Sequence, residues 1–273
     1  MLLQEPPESQ YDLRFQLFDF PIRVAWTFWL GTLVFGWGLV DGMDYYLSRA
    51  DDSPGRLPLL ILWAICMLVS IIIHELGHAF AHRYFGMRSA VVLYHFGGLA
   101  IPSGGGSARF RPVGTRAPNP SAQQLIISAA GPAAQLASAA LVLVGFKLLG
   151  FRLDGAYGDG ISFVPFLDRL PGFADGEAIN NGGLFALMTF YTLPSVFWAV
   201  LNLAPVIPLD GGRIMQSVVR MTGGREHTAY WISLITAGLG AWYGFTSGSL
   251  FLGILCVSFA ISNYQMIQGL GRW

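Results

Sequence analysis

The sequence predicts an all-α polytopic membrane protein with about six transmembrane helices and a short re-entrant β-hairpin next to a buried polar site. The first indication is composition. Of the 273 residues, 53% are apolar and only 12% are charged, whereas soluble domains carry about 25% charged residues. The second is a series of apolar runs long enough to cross a bilayer. The third is a set of ionisable side chains inside one run, where charge is costly and usually functional. We interpret residues 1–273 as a single membrane-embedded domain.

Six segments approach the roughly 20 apolar residues that a helix needs to cross a bilayer, some with interruptions. They cover about 21–47, 57–86, 121–150, 183–208, 228–246 and 249–270. Aromatic residues in the first segment suit the membrane interface, and Asp41 and Asp44 predict that its spanning part ends near residue 40. Cys66 and Cys256 both fall in apolar runs, which disfavours a disulfide.

Basic residues predict the orientation, because cytoplasmic loops are enriched in Lys and Arg. With the N-terminus in the cytoplasm and six crossings, eleven of the sixteen basic residues lie inside. We therefore expect both termini in the cytoplasm and residues 151–182 in an acidic external loop, where Gly158-Asp159 only weakly resembles a GxGD motif. The balanced charge predicts no nucleic-acid partner. The N-terminus lacks the pattern of a cleaved signal peptide.

The second apolar segment contains a His-Glu-x-x-His motif, from His74 to His78. Two histidines four residues apart share one helical face, about 6 Å apart along the axis, which suits two ligands of one Zn²⁺. Glu75 points to another side, from which it can reach a zinc-activated water as general base. A chance motif is disfavoured because burying these polar groups without a partner would be costly.

A third ligand is required, and the other histidines fit poorly. His82 continues the four-residue series but lies about 12 Å from His74 along a straight helix, so we interpret it as a residue at the membrane interface or behind the ligands. His95 lies among glycines, where a structural role is the simpler reading. His227 lies beside Arg225 and reads as a solvated boundary residue.

Asp210 is the better candidate for the third ligand. Pro205 and Pro208 bend or end the fourth segment, so Asp210 is expected at the cytoplasmic end of a membrane helix. His74 lies about 24 Å along its helix from Pro58, which gives it a similar depth. Two histidines and a carboxylate with an open fourth position are typical of a zinc hydrolase. The alternative is that Asp210 only caps the helix beginning at Gly211.

The stretch from Val91 to Pro102, between the second and third segments, is too short to cross the membrane. Its β-branched residues around Gly97-Gly98 predict a hairpin or strand edge. Strand-like backbone at membrane depth requires cover from protein or a water-filled cavity, which a re-entrant hairpin beside the metal site would have. The alternative is a cytoplasmic loop over the surface. Residues 103–120 read as a flexible cytoplasmic connection.

These motifs resemble the site-2 protease family of intramembrane zinc metalloproteases. The resemblance rests on His74-Glu75-Leu76-Gly77-His78 and on the later run Asn202-Leu203-Ala204-Pro205 leading to Pro208-Leu209-Asp210-Gly211. Further similarities are Phe96-Gly97-Gly98, Ala130-Gly131-Pro132 and the opening from Phe20 to Leu30. The family implies peptide-bond hydrolysis within or beside a transmembrane helix of a substrate protein in the bilayer.

The resemblance also implies roles for individual residues and regions. One Zn²⁺ per chain would be held by His74, His78 and Asp210, with Glu75 as the catalytic acid/base, and the substrate would contact Asn202. Independently of the resemblance, an unwound substrate segment could be added as a strand to the hairpin at Gly97 and Gly98. The catalytic core would cover about 57–215, and the extra helices about 21–47, 228–246 and 249–270. The active site would lie near the cytoplasmic face.

Two departures from the family pattern and two other functions remain open at this point. Gln135 stands where the family commonly has Asn in Gly-Pro-x-x-Asn, and the chain shows no PDZ or CBS-type domain, which resembles the compact sporulation-type members. A membrane metal-ion transporter would line its path with His and Asp but would not need Glu75. A non-catalytic relative that binds membrane proteins would not need every catalytic position filled.

Overall fold

A computed structural model describes residues 7–95, 97–102, 120–158 and 169–270 of the chain. These residues form seven helices and four strands. The helices are α1 (Trp26–Ser48), α2 (Arg56–Tyr84), α3 (Pro120–Leu148), α4 (Gly182–Asn202), α5 (Asp210–Met221), α6 (Glu226–Thr246) and α7 (Leu250–Leu270). The strands are β1 (Leu13–Leu17), β2 (Phe20–Val24), β3 (Ser89–Tyr94) and β4 (Gly97–Pro102).

Four of these helices are long and apolar enough to cross a membrane: α2, α3, α4 and most of α7. This confirms a mostly helical, multi-pass membrane protein. Helices α1 and α6 cover two more of the predicted spans and have 23 and 21 residues, but they are not among the four. Their many glycines, tryptophans and tyrosines are less hydrophobic than the Leu- and Ile-rich sequence of α2.

Two predicted spans have different boundaries in the structure. The first begins as a strand, and its helix starts only at Trp26 and ends at Ser48, close to the predicted end of the segment near residue 47. Helix α4 ends at Asn202 rather than near residue 208, because Pro205 and Pro208 have no N–H to continue the helical hydrogen bonds.

A four-stranded sheet in the order β1-β2-β3-β4 corrects the expectation of an all-α fold. β1 and β2 form an antiparallel pair, β2 and β3 a parallel pair, and β3 and β4 the antiparallel hairpin expected between the second and third segments. In this hairpin Tyr94 pairs with Gly97 and Val91 with Ala100. The N-terminal strands were not predicted, because five-residue strands leave little periodicity to read.

Helix α2 lies at the centre of the fold and contacts α1, α3 and α4 as well as β3 and β4. Against α1 the contact is close, because the indole N–H of Trp63 donates to the Thr32 carbonyl at 2.8 Å and a side chain at Gly36 would collide with the Trp63 ring. Helices α6 and α7 pack on each other, and α6 contacts α5. Cys66 and Cys256 are both free and buried, as predicted.

Two further predictions concern loops. Gly158 lies in a turn of the acidic loop, and Asp159 lies outside the described residues. The connection predicted at 103–120 also falls outside them, except for Pro120, which opens α3.

Candidate metal centre

Three side chains from two distant parts of the chain meet at one point: His74 and His78 on α2, and Asp210 at the start of α5. His74 Nε2 lies 3.1 Å from Asp210 Oδ2, His78 Nε2 lies 3.2 Å from the same oxygen, and the two Nε2 atoms are 3.2 Å apart. All three residues are buried, His74 with only 2% of its surface exposed. Among the described residues they form a group that could hold a metal ion.

The hydrogen bonds of the two histidines fix which nitrogen carries the proton. His74 Nδ1 lies 2.9 Å from Gln135 Oε1, and His78 Nδ1 lies 2.7 Å from the Ile127 carbonyl oxygen. Carbonyl oxygens only accept, so both Nδ1 atoms must donate. Each neutral imidazole then presents a lone pair at Nε2. Three electron-pair donors thus converge within 3.2 Å, an arrangement that a cation among them would stabilise.

The spacing of the donor atoms fits zinc. Zinc–nitrogen and zinc–oxygen bonds of about 2.0–2.1 Å in a tetrahedron place the ligand atoms about 3.3 Å apart, close to the 3.1 and 3.2 Å between these three atoms. Neutral imidazoles with their Nδ1–H groups held by carbonyl oxygens are the usual form of zinc-binding histidines. The residues present therefore fit a Zn²⁺ ion with one open position.

The sequence folds this way locally because glycines allow close packing around the three residues. A Cβ at Gly131 would lie 2.2 Å from His78 Nε2, and one at Gly77 would lie 2.4 Å from the Ala130 carbonyl oxygen, so α2 and α3 approach each other only through glycine. Gly211 and Gly212 play the same part for α5, whose first turn would otherwise collide with the backbone of residues 203–207.

The loop that precedes Asp210 is held by the last two helices. The Ile207 N–H donates to Ser233 Oγ on α6 at 3.1 Å, and Asn263 Nδ2 on α7 donates to the Ile207 carbonyl at 2.7 Å. Ser233 and Asn263 are both almost fully buried. Because Ile207 lies only three residues before Asp210, α6 and α7 fix the start of α5, a contribution that the sequence did not reveal.

Glu75 and the hairpin line a cavity of about 340 Å³ with the three residues. Glu75 is 4% exposed, and a Cβ at Gly98 would lie 2.6 Å from its Oε1 atom. Leu99 and Ile101 of β4 line the same cavity, so the hairpin lies beside the site as predicted. Tyr94 lines the same cavity and is 2% exposed, and the hydroxyl of a tyrosine is a proton donor at neutral pH.

The other residues singled out in the sequence occupy different positions. Asn202 lines the cavity at the end of α4, and its Nδ2 donates to the Trp198 carbonyl at 3.1 Å. Gly97 has a φ of 120°, and a Cβ at this position would lie 2.8 Å from the Trp198 ring. His82 lines the cavity but does not belong to the three-residue group, and its Nδ1 has no hydrogen-bond partner in the described part of the chain.

The remaining two histidines lie outside this cavity. His95, in the turn of the hairpin, lines a neighbouring apolar cavity, and His227 lies in the first turn of α6. Gln135 was noted in the sequence only as a departure from a pattern. The structure places it against His74, a contact that no spacing rule predicts across two helices.

Comparison with known proteins places this site in a family. Residues 62–239 match the model of peptidase family M50. The candidate zinc metalloprotease sll0528 of Synechocystis sp. is 27% identical over 245 residues, which are 88% of this chain and 52% of that protein. The candidate zinc metalloprotease Rip3 of Mycobacterium tuberculosis is 27% identical over 229 residues, which are 81% of this chain and 45% of that protein.

The chain therefore spans about half the length of these curated relatives. Among solved structures, the site-2 protease from Methanocaldococcus jannaschii is similar over 94% of this chain and 95% of that chain, at 21% identity and a TM-score of 0.45.

Proposed function

The chain belongs to peptidase family M50, and from that premise we propose that it is an intramembrane zinc metalloprotease. It hydrolyses a peptide bond within or next to a transmembrane segment of a membrane-protein substrate. The observation that carries the proposal is the convergence of three electron-pair donors beside a buried glutamate in a bundle of apolar helices. A buried site of this kind has no structural use that an apolar core would not serve better.

In this proposal His74, His78 and Asp210 would hold one zinc ion per chain, beside the cavity that they line. Bound there, zinc would lower the pKa of water toward about 7 and polarise the scissile carbonyl. Glu75, next to a ligand but outside the ligand group, accepts the proton of the attacking water and passes it to the leaving amine. Tyr94 and Asn202 line the same cavity, and a tyrosine hydroxyl and an asparagine amide can each donate to a substrate carbonyl.

The substrate must expose a carbonyl before it can react, because a transmembrane helix holds its carbonyls in i→i−4 hydrogen bonds. β4 is the last strand in the described sheet, and its residues 98–101 line the cavity. An unwound substrate segment can pair with this edge as an added strand. Gly98 keeps the strand close to Glu75, because any side chain there would occupy the space of the carboxylate.

The proposal also includes the number of membrane spans and the side of the membrane on which the site lies. Helices α1 and α6 cross the bilayer with the four more apolar helices, which gives six spans and both termini in the cytoplasm. His78 precedes the end of α2 at Tyr84 by six residues, about 9 Å along the helix. The site then lies near the cytoplasmic face, and the β3–β4 hairpin enters the membrane from that side.

The decisive experiment is co-expression with candidate single-span membrane proteins. The unmodified chain and its Glu75→Gln variant are compared, and both are purified for zinc analysis. We expect a substrate fragment only with the unmodified chain, while both proteins contain zinc. Zinc flux across proteoliposomes without any fragment would favour the metal-ion transporter instead, and neither fragment nor flux would favour a relative that only binds membrane proteins.

A further inference from the structure

We infer that Gln135 is a positioning residue that fixes the tautomer and the ring orientation of His74 for metal binding. The inference rests on the proposed zinc site and adds a residue from a third helix to it. Gln135 lies on α3, three residues after Pro132, and none of its surface is exposed. Its Oε1 lies 2.9 Å from His74 Nδ1, and its Nε2 donates to Ser70 Oγ at 2.8 Å.

The direction of every hydrogen bond in this network follows from one backbone carbonyl. Ser195 Oγ donates to the Tyr191 carbonyl one turn earlier in α4. Its single hydrogen is then used, so Ser195 accepts the hydrogen of Ser70, whose Oγ lies 2.7 Å away. With that hydrogen used as well, Ser70 can only accept from the Gln135 amide, because a hydroxyl has a single donor. The amide nitrogen therefore faces Ser70, and Oε1 faces His74.

This orientation of the amide matters because it allows His74 only one tautomer. An acceptor at Nδ1 holds the proton there and leaves the lone pair at Nε2, 3.1 Å from Asp210 Oδ2. If the amide were reversed or absent, a buried N–H would be unpaired, which is costly. The ring would then move or carry its proton on Nε2. Either change removes the lone pair of His74 Nε2 from the group of atoms that would bind the metal.

The second histidine is held differently. His78 Nδ1 donates to the Ile127 carbonyl, a backbone group that no substitution removes. Of the two imidazoles, therefore, only His74 depends on a side chain for its orientation. That side chain depends in turn on Ser70 of α2 and Ser195 of α4, so the network joins the three central helices at the depth of the metal site.

The test compares zinc affinity in full-length protein purified in detergent, measured by competition with a chelator. Gln135→Met keeps the length of the side chain but removes the acceptor, and we expect zinc affinity to fall about 10- to 100-fold, as for other groups that orient ligands. Gln135→Glu keeps an oxygen in the same place, so it retains zinc affinity close to that of the unmodified chain. The Co²⁺-loaded proteins supply a second measurement, because the visible spectrum of Co²⁺ reports its ligand geometry.

Ser138→Ala is the matched control. Ser138 lies one turn after Gln135 on α3. Its hydroxyl donates to the Gln135 backbone carbonyl and accepts from the Tyr191 hydroxyl, and neither bond involves the Gln135 amide or His74. We expect this variant to keep both the zinc affinity and the Co²⁺ spectrum of the unmodified chain. Ser70→Ala is the second variant, because it removes only the group that orients the amide. It should weaken zinc binding less than Gln135→Met and should shift the Co²⁺ spectrum.

Three results would overturn the inference. Zinc could bind Gln135→Met as tightly as the unmodified chain and with the same Co²⁺ spectrum. Alternatively, Gln135→Met and Gln135→Glu could lose zinc equally, in which case packing rather than the acceptor would matter. If Gln135→Met fails to fold, unchanged zinc binding by Ser70→Ala decides against the inference. A different result, zinc binding equally strong in Asp210→Ala and the unmodified chain, would instead reject the proposed zinc site.

Discussion

Asp210 Oδ2 lies 3.1 Å from His74 Nε2, although 136 residues separate the two in the chain. The contact joins the middle of α2 to the first turn of α5. A carboxylate in the first turn is favoured there, because the backbone N–H groups at a helix N-terminus attract negative charge. The same position brings the charge to two imidazoles held by α3. The candidate zinc site is thus a junction of three helices, and its integrity depends on how they pack.

Replacing Asp210 tests the third ligand. We expect Asp210→Asn to lose most of its zinc, because the neutral amide oxygen is a much poorer ligand than a carboxylate. Elemental analysis of purified protein should give about one zinc per chain for the unmodified protein, as in other single-site zinc hydrolases, and far less for the variant. Asp41→Asn is the control, since Asp41 forms an exposed ion pair with Arg56. Equal zinc in all three proteins would remove Asp210 from the site.

Glu75→Gln separates chemistry from metal binding. The glutamine has the same shape but cannot accept the proton of water, so we expect cleavage to fall by about 10²–10⁴-fold while the zinc content stays unchanged. The measurement is the rate of fragment formation from a validated substrate, with zinc determined on the same sample. Cleavage at an undiminished rate would mean that another group is the general base.

The sequence alone predicted that His74, His78 and Asp210 form a site, but it did not predict the contacts that hold these residues in place. The i, i+4 spacing of His74 and His78 is local, so helix geometry is enough to pair them. Asp210 could be matched only by its depth in the membrane and by a resemblance. The contacts of Gln135 with His74 and of Asn263 with the loop before Asp210 cross between helices, and no periodicity in the sequence encodes helix packing.

Gly98→Ala tests the contact between β4 and Glu75. A Cβ at Gly98 would lie 2.4 Å from Glu75 Cγ, so either the strand or the carboxylate must move. We expect slower cleavage with zinc retained, because the three candidate zinc ligands lie elsewhere. Gly38→Ala is the control, since no atom of the described residues lies within 4 Å of a Cβ at that position of α1. A variant that cleaves at the normal rate would show that the hairpin adapts without cost to function.

Asp52, in the loop between α1 and α2, should make the stability of the fold depend on pH in the acidic range. The Tyr157 hydroxyl and the Gly182 N–H donate to the Asp52 carboxylate and lower the pKa of Asp52. A lowered pKa stabilises the fold above the unfolded value of about 3.9, and this stabilisation is lost as pH falls through the lower folded value. We expect Asp52→Asn to lower the unfolding temperature at pH 7, with a difference that narrows as the pH falls below about 3.9. A constant difference at every pH would contradict this account.

Asn263→Leu tests whether the last helix supports the metal site. Asn263 Nδ2 donates to the Ile207 carbonyl at 2.7 Å, and leucine has a similar size but no donor. Removing the donor from this partly buried carbonyl costs at most about 1–3 kcal/mol, and the loss falls on the loop three residues before Asp210. We therefore expect weaker zinc binding as well as a lower unfolding temperature. Ser258→Ala on the same helix is the control, because its hydroxyl donates to the Leu255 carbonyl of α7 itself and does not contact the loop before Asp210 in the described part of the chain. If Asn263→Leu lowers the unfolding temperature but binds zinc as tightly as Ser258→Ala, then α7 stabilises the bundle without positioning Asp210.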